Sequence, residues 1–230
     1  WLMLRGELPS EDQAALLGHA LVASVDHGPQ APSIAIARMA STCGVGINNA
    51  MASAANVLGD VHGGAGEQTV AVYTAIAERA GEGGDIDAAV AAELDALAEQ
   101  GIKYVPGFGH RFHPIEPRAP RLLEMVDEMA ERGAVTGRFA AIARAIEAAM
   151  EARKGKRIPM NIDGATAVIY AELGFAPPLC RGLFVLSRSV GILAHSWEQM
   201  QRAERNKGPL PRDATWTYTG PTQRKVPEQG

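Results

Sequence analysis

The segment that decides the fold class is residues 10–25, which read SEDQAALLGHALVASV. Ser10 followed three positions later by Gln13 is typical of a capping box, in which two side chains satisfy free backbone N–H groups at the start of a helix. Apolar residues recur behind this pair, and Gly28 and Pro29 follow as helix breakers. The segment therefore predicts a helix over residues 11–25.

The same alternation of apolar runs and glycine- or proline-rich breaks continues along the chain. It predicts further helices over residues 31–42, 47–58, 67–79, 86–100, 118–132, 137–153, 164–173 and 179–205. Asp85 is the expected N-cap of the helix over 86–100. Strand patterns are nearly absent, and aromatic residues make up only 5% of the chain, which favours helices packed closely through small side chains. The predicted fold class is all-α.

Composition excludes several classes of function. The formal net charge is −4 with mixed signs and no basic run, so no nucleic-acid partner is expected. No apolar run is long enough to span a membrane, so no membrane partner is expected. Cys43 and Cys180 fit reduced thiols in a cytoplasmic protein, and no histidine pair has a metal-ligand spacing, so no metal site is predicted. The first residue is Trp1 rather than Met, so further N-terminal sequence is expected.

The polar residues with chemical potential lie in glycine-rich breaks between the predicted helices, at 25–28, 60–67, 107–111 and 161–164, and on the helix at 187–191. Glycine lets the backbone approach a ligand closely, and such loops often carry function. Each group also has a structural alternative. A histidine beside glycine is often a loop or capping residue, Asp163 has the position of a helix N-cap, and an arginine in an apolar helix is often an ion-pair partner.

Taken together, seven segments match one family in order and type. They are Gly6-Glu7-Leu8-Pro9, Asp26-His27 with Arg38, Ala40, Ser41 and Thr42, His62-Gly63-Gly64-Ala65-Gly66-Glu67, Gly107 to Arg111 followed by Pro117-Arg118-Ala119, Asn161-Ile162-Asp163, Ser187-Arg188 with Gly191, and Tyr218-Thr219-Gly220. The chain resembles the citrate synthase superfamily over nearly its whole length. The segments 26–29, 163–164 and 182–191, with His195, resemble most closely the citryl-CoA lyases, including the lyase portion of ATP-citrate lyase. Gly66 departs from an Asn of the family pattern, and Glu116 departs from an Asp.

The resemblance implies a large helical domain, residues 1–65 and 162–230, and a smaller helical domain, residues 66–161, that closes over the substrates. It implies a cytoplasmic homodimer of the tricarboxylic acid cycle, with residues 31–57 and 179–199 in the subunit interface. The implied activity makes or breaks the carbon–carbon bond between acetyl-CoA and oxaloacetate, as a citrate synthase or a citryl-CoA lyase does. No bound cofactor is implied, because the CoA ester is a substrate.

The resemblance also assigns roles to individual residues. The implied catalytic residues are Asp163 as the base, His62 as the donor to the thioester oxygen and His110 as the donor to the keto-acid carbonyl. The implied substrate-binding residues are His27, Arg118, Arg188 and Arg212, and the implied CoA-binding residues are Gly107, Gly109, Lys156 and Arg157. Arginine suits the keto acid because its planar fork binds a carboxylate through two parallel hydrogen bonds.

Two other classes of function compete with this interpretation. One is a non-catalytic paralogue that binds CoA or a keto acid, and the other is a purely structural helical scaffold. The presence of His62, His110 and Asp163 together favours a catalyst, because a binding protein needs no base. A scaffold does not explain why the histidines lie in glycine-rich loops.

Overall fold

The computed structural model describes residues 1–109 and 116–207, together with Gly220 and Thr222. Ten α-helices form this part of the chain, and no β-strand occurs in it, so the predicted all-α fold class is confirmed. The helices are α1 (Leu2–Arg5), α2 (Glu11–Ala23), α3 (Pro32–Thr42), α4 (Ile47–Ala55), α5 (Ala65–Ala80), α6 (Ile86–Glu99), α7 (Ala119–Glu131), α8 (Arg138–Lys154), α9 (Ile162–Glu172) and α10 (Pro177–Met200).

Both predicted N-terminal caps are confirmed. Ser10 accepts from the backbone N–H of Gln13 at 3.2 Å, and the Gln13 side chain accepts from the backbone N–H of Ser10 at 2.9 Å. Asp85 accepts from the backbone N–H of Ala88 at 3.0 Å. These side chains satisfy donors that would otherwise have no partner at the start of α2 and α6.

Several predicted helix bounds differ from the structure. Helix α9 begins at Ile162 instead of residue 164, because Asn161 caps it. Helix α10 ends at Met200 rather than 205, α4 ends at Ala55 rather than 58, and the short helix α1 was not predicted. Helix ends are set by local capping, which an apolar pattern locates only approximately.

The apolar core has two parts. The main cluster joins α2, α5 to α9 and the beginning of α10, and includes the fully buried Tyr73, Ile146 and Ile169. A smaller cluster joins α3, α4 and the middle of α10 through residues such as Ile34 and Ile192. Helix α10, with 24 residues and a length of about 36 Å, therefore contacts both parts. The main cluster draws on both predicted domains, and the division at 65/66 and 161/162 stays a prediction.

Three further findings concern the described part of the chain, residues 1–109 and 116–207. No helix within it is both long and apolar enough to cross a bilayer. No group of three or more His, Cys, Asp or Glu side chains within it could hold a metal ion. Both cysteines are free, with Cys43 exposed and Cys180 buried.

Candidate active site

A cavity of about 330 Å³ lies between α9, α10 and the loops that precede α3 and α5. Four of the polar side chains predicted from the sequence line it together: His27, His62, Asp163 and Arg188. They come from four segments that are far apart in the sequence, and the fold brings them to one place. We call this space the central cavity. The predicted residues His110 and Arg212 lie outside the described residues.

His62 enters the central cavity from the loop before α5. Its Nε2 accepts the backbone N–H of Ser33 at 3.1 Å and lies 3.0 Å from the Ser33 hydroxyl. Ser33 is fully buried in the first turn of α3, where free N–H groups point out of the helix end. Because Nε2 is an acceptor, the proton of the neutral ring lies on Nδ1. Partial burial, followed by the positive charge of Arg188 and that of His27 when it is protonated, lowers the pKa of His62, so the ring is neutral at neutral pH and offers one N–H.

The loop that carries His62 has a fixed shape. The backbone N–H of Gly59 donates to the carbonyl of His62 at 2.9 Å, which folds the loop back on itself. A Cβ atom at Gly64 would lie 2.7 Å from the Cα of Asp60, so only glycine fits this return. Arg181 of α10 forms ion pairs with both Asp60 and Glu67, one on each side of the loop. The glycine motif thus serves backbone geometry, and the histidine is the group it presents.

Asp163 lies in the first turn of α9, and it is not the N-cap. The side chain of Asn161 caps the helix instead, and it accepts from the backbone N–H groups of Asp163 at 3.0 Å and Gly164 at 3.1 Å. The structural alternative that Asp163 caps the helix is therefore wrong. Burial raises the pKa of Asp163, while the positive charge of Arg188, then of His27 when it is protonated, and then of Arg118 act against this rise. The carboxylate is thus a stronger base than an ordinary aspartate.

The loop that leads to residue 110 is docked onto the start of α9. The backbone N–H of Asn161 donates to the carbonyl of Gly107 at 2.9 Å, and the Asn161 side chain donates to the carbonyl of Gly109 at 3.1 Å. Gly107 has a φ of 82°. A Cβ atom at Gly164 would lie 2.3 Å from the carbonyl oxygen of Gly107. Gly107 therefore packs against α9 and lines neither cavity described in this section, whereas Gly109 lines the central cavity. A role of Gly107 in CoA binding stays a prediction.

Arg188 is buried, with 5% of its surface exposed. Its Nε donates to the carbonyl of Ser24 at 3.1 Å, and its guanidinium lies 4.8 Å from the centre of the Phe184 ring. Within the described part of the chain, no carboxylate lies within 4.0 Å of this guanidinium. The charges of Asp163 and Asp26 favour the guanidinium from a distance, but no carboxylate of the described residues is in ion-pair contact with it, and a buried charge without such contact is costly. This arrangement suits a cation that meets an anionic ligand.

Arg118 differs from Arg188 in its surroundings. Its Nε donates to the carboxylate of Glu116 at 2.7 Å, and one Nη donates to the carbonyl of Ala23 at 2.7 Å. The side chain is not part of the lining of the central cavity, although its charge reaches the residues there. Partial burial, and then the charges of Arg188 and Arg118, lower the pKa of His27. His27 is therefore a neutral hydrogen-bonding group at neutral pH.

A second cleft, of about 780 Å³, adjoins the central cavity at Gly109, which lines both. The predicted CoA-binding residues Lys156 and Arg157 line it, together with Lys154. Apolar and aromatic groups, among them Tyr104 and Phe108, complete its wall. The cleft joins a basic rim to an apolar surface and opens beside the residues at which the chemistry is expected. The contribution of Lys154 was not predicted, although it belongs to the basic run 153–157.

Comparison with known proteins identifies the family. A family model described as "Citrate synthase, C-terminal domain" matches residues 1–212. The chain belongs to the citrate synthase family. It is 29% identical over 223 residues to citrate synthase 2 of Bacillus subtilis (strain 168), which covers 96% of this chain and 55% of that protein. The chain spans about half the length of the curated relatives it matches.

Solved structures agree with this assignment. The structure of citryl-CoA lyase from Hydrogenobacter thermophilus matches with a TM-score of 0.83 and 30% identity, covering 98% of this chain and 84% of that chain. Citrate synthase from Thermoplasma acidophilum, solved as a ternary complex with carboxymethyl coenzyme A and oxaloacetate, matches with a TM-score of 0.76 and 25% identity. That match covers 96% of this chain and 56% of the synthase. The resemblance predicted from the sequence, to citrate synthases with similarity to citryl-CoA lyases, is confirmed.

Proposed function

We propose that this chain makes or breaks the carbon–carbon bond between acetyl-CoA and oxaloacetate, by citrate synthase or citryl-CoA lyase chemistry. The observation that carries the proposal is the buried Arg188, which lacks a carboxylate partner in the described part of the chain and lines one cavity with His62 and Asp163. An anion site beside a base and a neutral hydrogen-bond donor suits the reaction of a keto acid with a weak carbon acid. The match to a citryl-CoA lyase over most of both chains supports the lyase direction as the first to test.

The difficult step is the removal of a proton from the methyl group of a thioester. That carbon acid is very weak, so the developing enolate needs a donor where its negative charge appears, and a base near the methyl carbon. His62 supplies the donor through Nδ1–H, because its Nε2 accepts a hydrogen bond from the backbone N–H of Ser33. Asp163 supplies the base, with a pKa raised by burial. In the lyase direction, Asp163 starts protonated and gives its proton to the methylene carbon as the bond to oxaloacetate breaks. The hydroxyl proton of the citryl group leaves at the same time, and the family resemblance assigns its acceptance to His110.

The keto acid is placed by cationic and polar groups. Arg188 binds one carboxylate, since its Nη groups are free of carboxylate partners in residues 1–109 and 116–207. His27 contributes a neutral ring to the same cavity. Arg118 is largely committed to Glu116 and acts on the substrate mainly through its charge. His110 and Arg212 stay predictions of the family resemblance.

The CoA part of the substrate fits the second cleft. Lys154, Lys156 and Arg157 form a basic rim for phosphates, and Tyr104 and Phe108 supply apolar surface. Gly109 lines both spaces, so a chain that leaves the cleft there reaches the central cavity and brings its thioester towards His62.

We further propose that the active form is a homodimer. Helix α10 exposes an apolar stripe, with spacings of four, three and four residues, formed by Leu186, Val190, Leu193 and Trp197. Exposed apolar stripes of this kind mark interaction surfaces, and this one lies within the predicted interface 179–199. Val190→Glu should shift sedimentation from dimer to monomer, and a wild-type monomer at micromolar concentration would contradict the proposal. Two-domain closure, a cytoplasmic location and a place in the tricarboxylic acid cycle also stay predictions.

Incubation of the purified chain with synthetic citryl-CoA tests the proposed function. Acetyl-CoA and free CoA are quantified separately, with Asp163→Asn as the control. Release of acetyl-CoA and oxaloacetate indicates the lyase, and release of free CoA with citrate indicates the hydrolysis step of a synthase. If the chain binds the ester but releases neither product, the non-catalytic paralogue is the better interpretation.

A further inference from the structure

One face of α10 contacts residues 21–28, the segment that carries His27. Two side chains on this face donate to backbone carbonyls: Ser187 Oγ to Leu21 at 2.5 Å, and Arg188 Nε to Ser24 at 3.1 Å. Further along the helix, Gly191 packs against the carbonyl of Val25. In the next turn, His195 Nε2 lies 3.2 Å from Asp26 Oδ1. A Cβ atom at Gly191 would lie 2.3 Å from the Val25 carbonyl oxygen, so glycine permits the close approach. The last of these contacts, at His195, is not used by the proposed reaction.

His195 lies between a cation and an anion. Its Nδ1 is 3.0 Å from an Nη of Arg38, and its Nε2 is 3.2 Å from Oδ1 of Asp26. A guanidinium can only donate, so Nδ1 must be the acceptor and the proton of the neutral ring must lie on Nε2, facing the carboxylate. Arg38 is held in turn by Glu198 at 2.7 Å. The order of groups thus fixes one tautomer and one orientation of the ring.

Asp26 transmits this order to the turn that contains His27. Its Oδ2 accepts the backbone N–H of Gly28 at 3.2 Å, which closes a turn around His27. Asp26 and His195 do not line the central cavity, whereas His27 does. The Asp26 carboxylate therefore acts on the site in two ways: through the position it gives to His27, and through its charge, which stabilises the guanidinium of Arg188.

We propose that His195 is a positioning residue for keto-acid binding, because its ring lies between Arg38 and Asp26, within 3.2 Å of each, and so fixes the turn that presents His27 to the central cavity. The identity of the ligand rests on the proposed function, whereas the arrangement of the ring does not. The role predicts a specific pattern. Loss of His195 should weaken binding of the keto acid and leave binding of the CoA ester unchanged.

The first experiment compares two substitutions of His195 by calorimetric titration with oxaloacetate and, separately, with acetyl-CoA. His195→Leu removes both contacts and should raise the Kd for oxaloacetate by about tenfold to a hundredfold, with an unchanged Kd for acetyl-CoA. His195→Gln retains one donor and one acceptor and should recover most of the affinity. His19→Leu, at an exposed histidine of α2, is the matched control. Equal losses for both ligands, or no recovery with Gln, would show that His195 only supports the fold.

A second readout needs no ligand. In protein labelled with ¹⁵N-histidine, long-range ¹H–¹⁵N spectra distinguish the two neutral tautomers, and the His195 signals are assigned by their loss in His195→Gln. We expect a protonated Nε2, and we expect the His27 signals to shift in His195→Leu and to return in His195→Gln. A protonated Nδ1, or unmoved His27 signals, would overturn the inference. Normal spectra in a chain that binds no oxaloacetate would instead contradict the proposed function.

A double substitution tests the link between the two partners. Asp26→Asn replaces the carboxylate with an amide, which has only one oxygen. That oxygen cannot accept from both the backbone N–H of Gly28 and the Nε2–H of His195, so the amide NH₂ must face one of these two donors. Arg38→Gln offers a carbonyl to Nδ1 and lets the ring change tautomer. The double variant should therefore bind oxaloacetate better than the product of the two single effects predicts. Strict additivity would show that the two contacts are independent and that no tautomer links them.

Discussion

Asp163→Asn separates a catalytic role from a structural one. The substitution keeps the size and shape of the side chain but removes the carboxylate that we propose takes the methyl proton. General acid–base groups contribute about a hundredfold to ten-thousandfold in rate, which is about 3–5 kcal/mol of activation free energy. We therefore expect turnover of citryl-CoA to fall by at least a hundredfold. Deuterium exchange into the methyl group of acetyl-CoA, measured with a keto-acid analogue present, should be lost.

The same substitution should barely change the stability of the fold. Asn161, not Asp163, caps α9, so the cap remains. Loss of a negative charge in the first turn costs about 0.3–1 kcal/mol. An opposite effect comes from burial, which raises the pKa of Asp163 in the folded state. The ionised carboxylate therefore destabilises the folded protein at neutral pH, and this effect fades as the pH falls through the raised pKa. Removing the charge relieves it, so the melting temperature at pH 7 should stay the same or rise.

Asp85→Asn is the matched control, because Asp85 caps α6 on the surface and asparagine caps a helix about as well as aspartate. It should leave both turnover and stability unchanged. If Asp163→Asn keeps most of its turnover and its exchange, the base has been assigned to the wrong residue. If it unfolds the protein, the stability argument fails instead.

Three further predictions follow from the structure. Arg188→Leu should weaken oxaloacetate binding by about 2–5 kcal/mol and leave acetyl-CoA binding unchanged, whereas Arg121→Leu, at an exposed arginine, should change neither affinity. Normal binding of both ligands by Arg188→Leu in a calorimetric titration would contradict this prediction. Gly18→Ala should stabilise the protein by about 1 kcal/mol in urea unfolding, because Gly18 is exposed within α2 with open space around a Cβ, and a lower midpoint would refute this. Gly164→Ala should lower the same midpoint, since its Cβ would lie 2.3 Å from the Gly107 carbonyl oxygen; a stable variant would mean that the loop at Gly107 is not docked as described.

The helices and the clustering of the polar residues were predicted from different kinds of information. Helices follow from local patterns, and nine of the ten were located from apolar spacing and breakers. The clustering of His27, His62, Asp163 and Arg188 came instead from a resemblance, because no local rule brings such distant residues together. Only the structure shows that they line one cavity.

Other features of the site could not be predicted, because they depend on which group accepts a hydrogen bond from which donor. The sequence offered Asp163 as an N-cap, yet Asn161 takes that place and also holds Gly109. Ser33 carried no signal beyond its position after Pro32, and it determines which nitrogen of His62 is protonated. These are contacts between backbone groups and side chains remote in sequence, which residue type alone does not specify.

Electrostatics connects the two halves of the proposed reaction. Arg188 and Asp163 act on each other across the central cavity, where the positive guanidinium opposes the rise that burial gives to the pKa of Asp163. A keto acid that places a carboxylate on Arg188 neutralises that charge. We therefore expect the pKa of Asp163 to rise further, so that the carboxylate becomes a still stronger base when the reaction partner of the enolate is present. This coupling predicts that proton removal from acetyl-CoA is slower in the absence of the keto acid, so methyl exchange should be faster with a keto-acid analogue than without one.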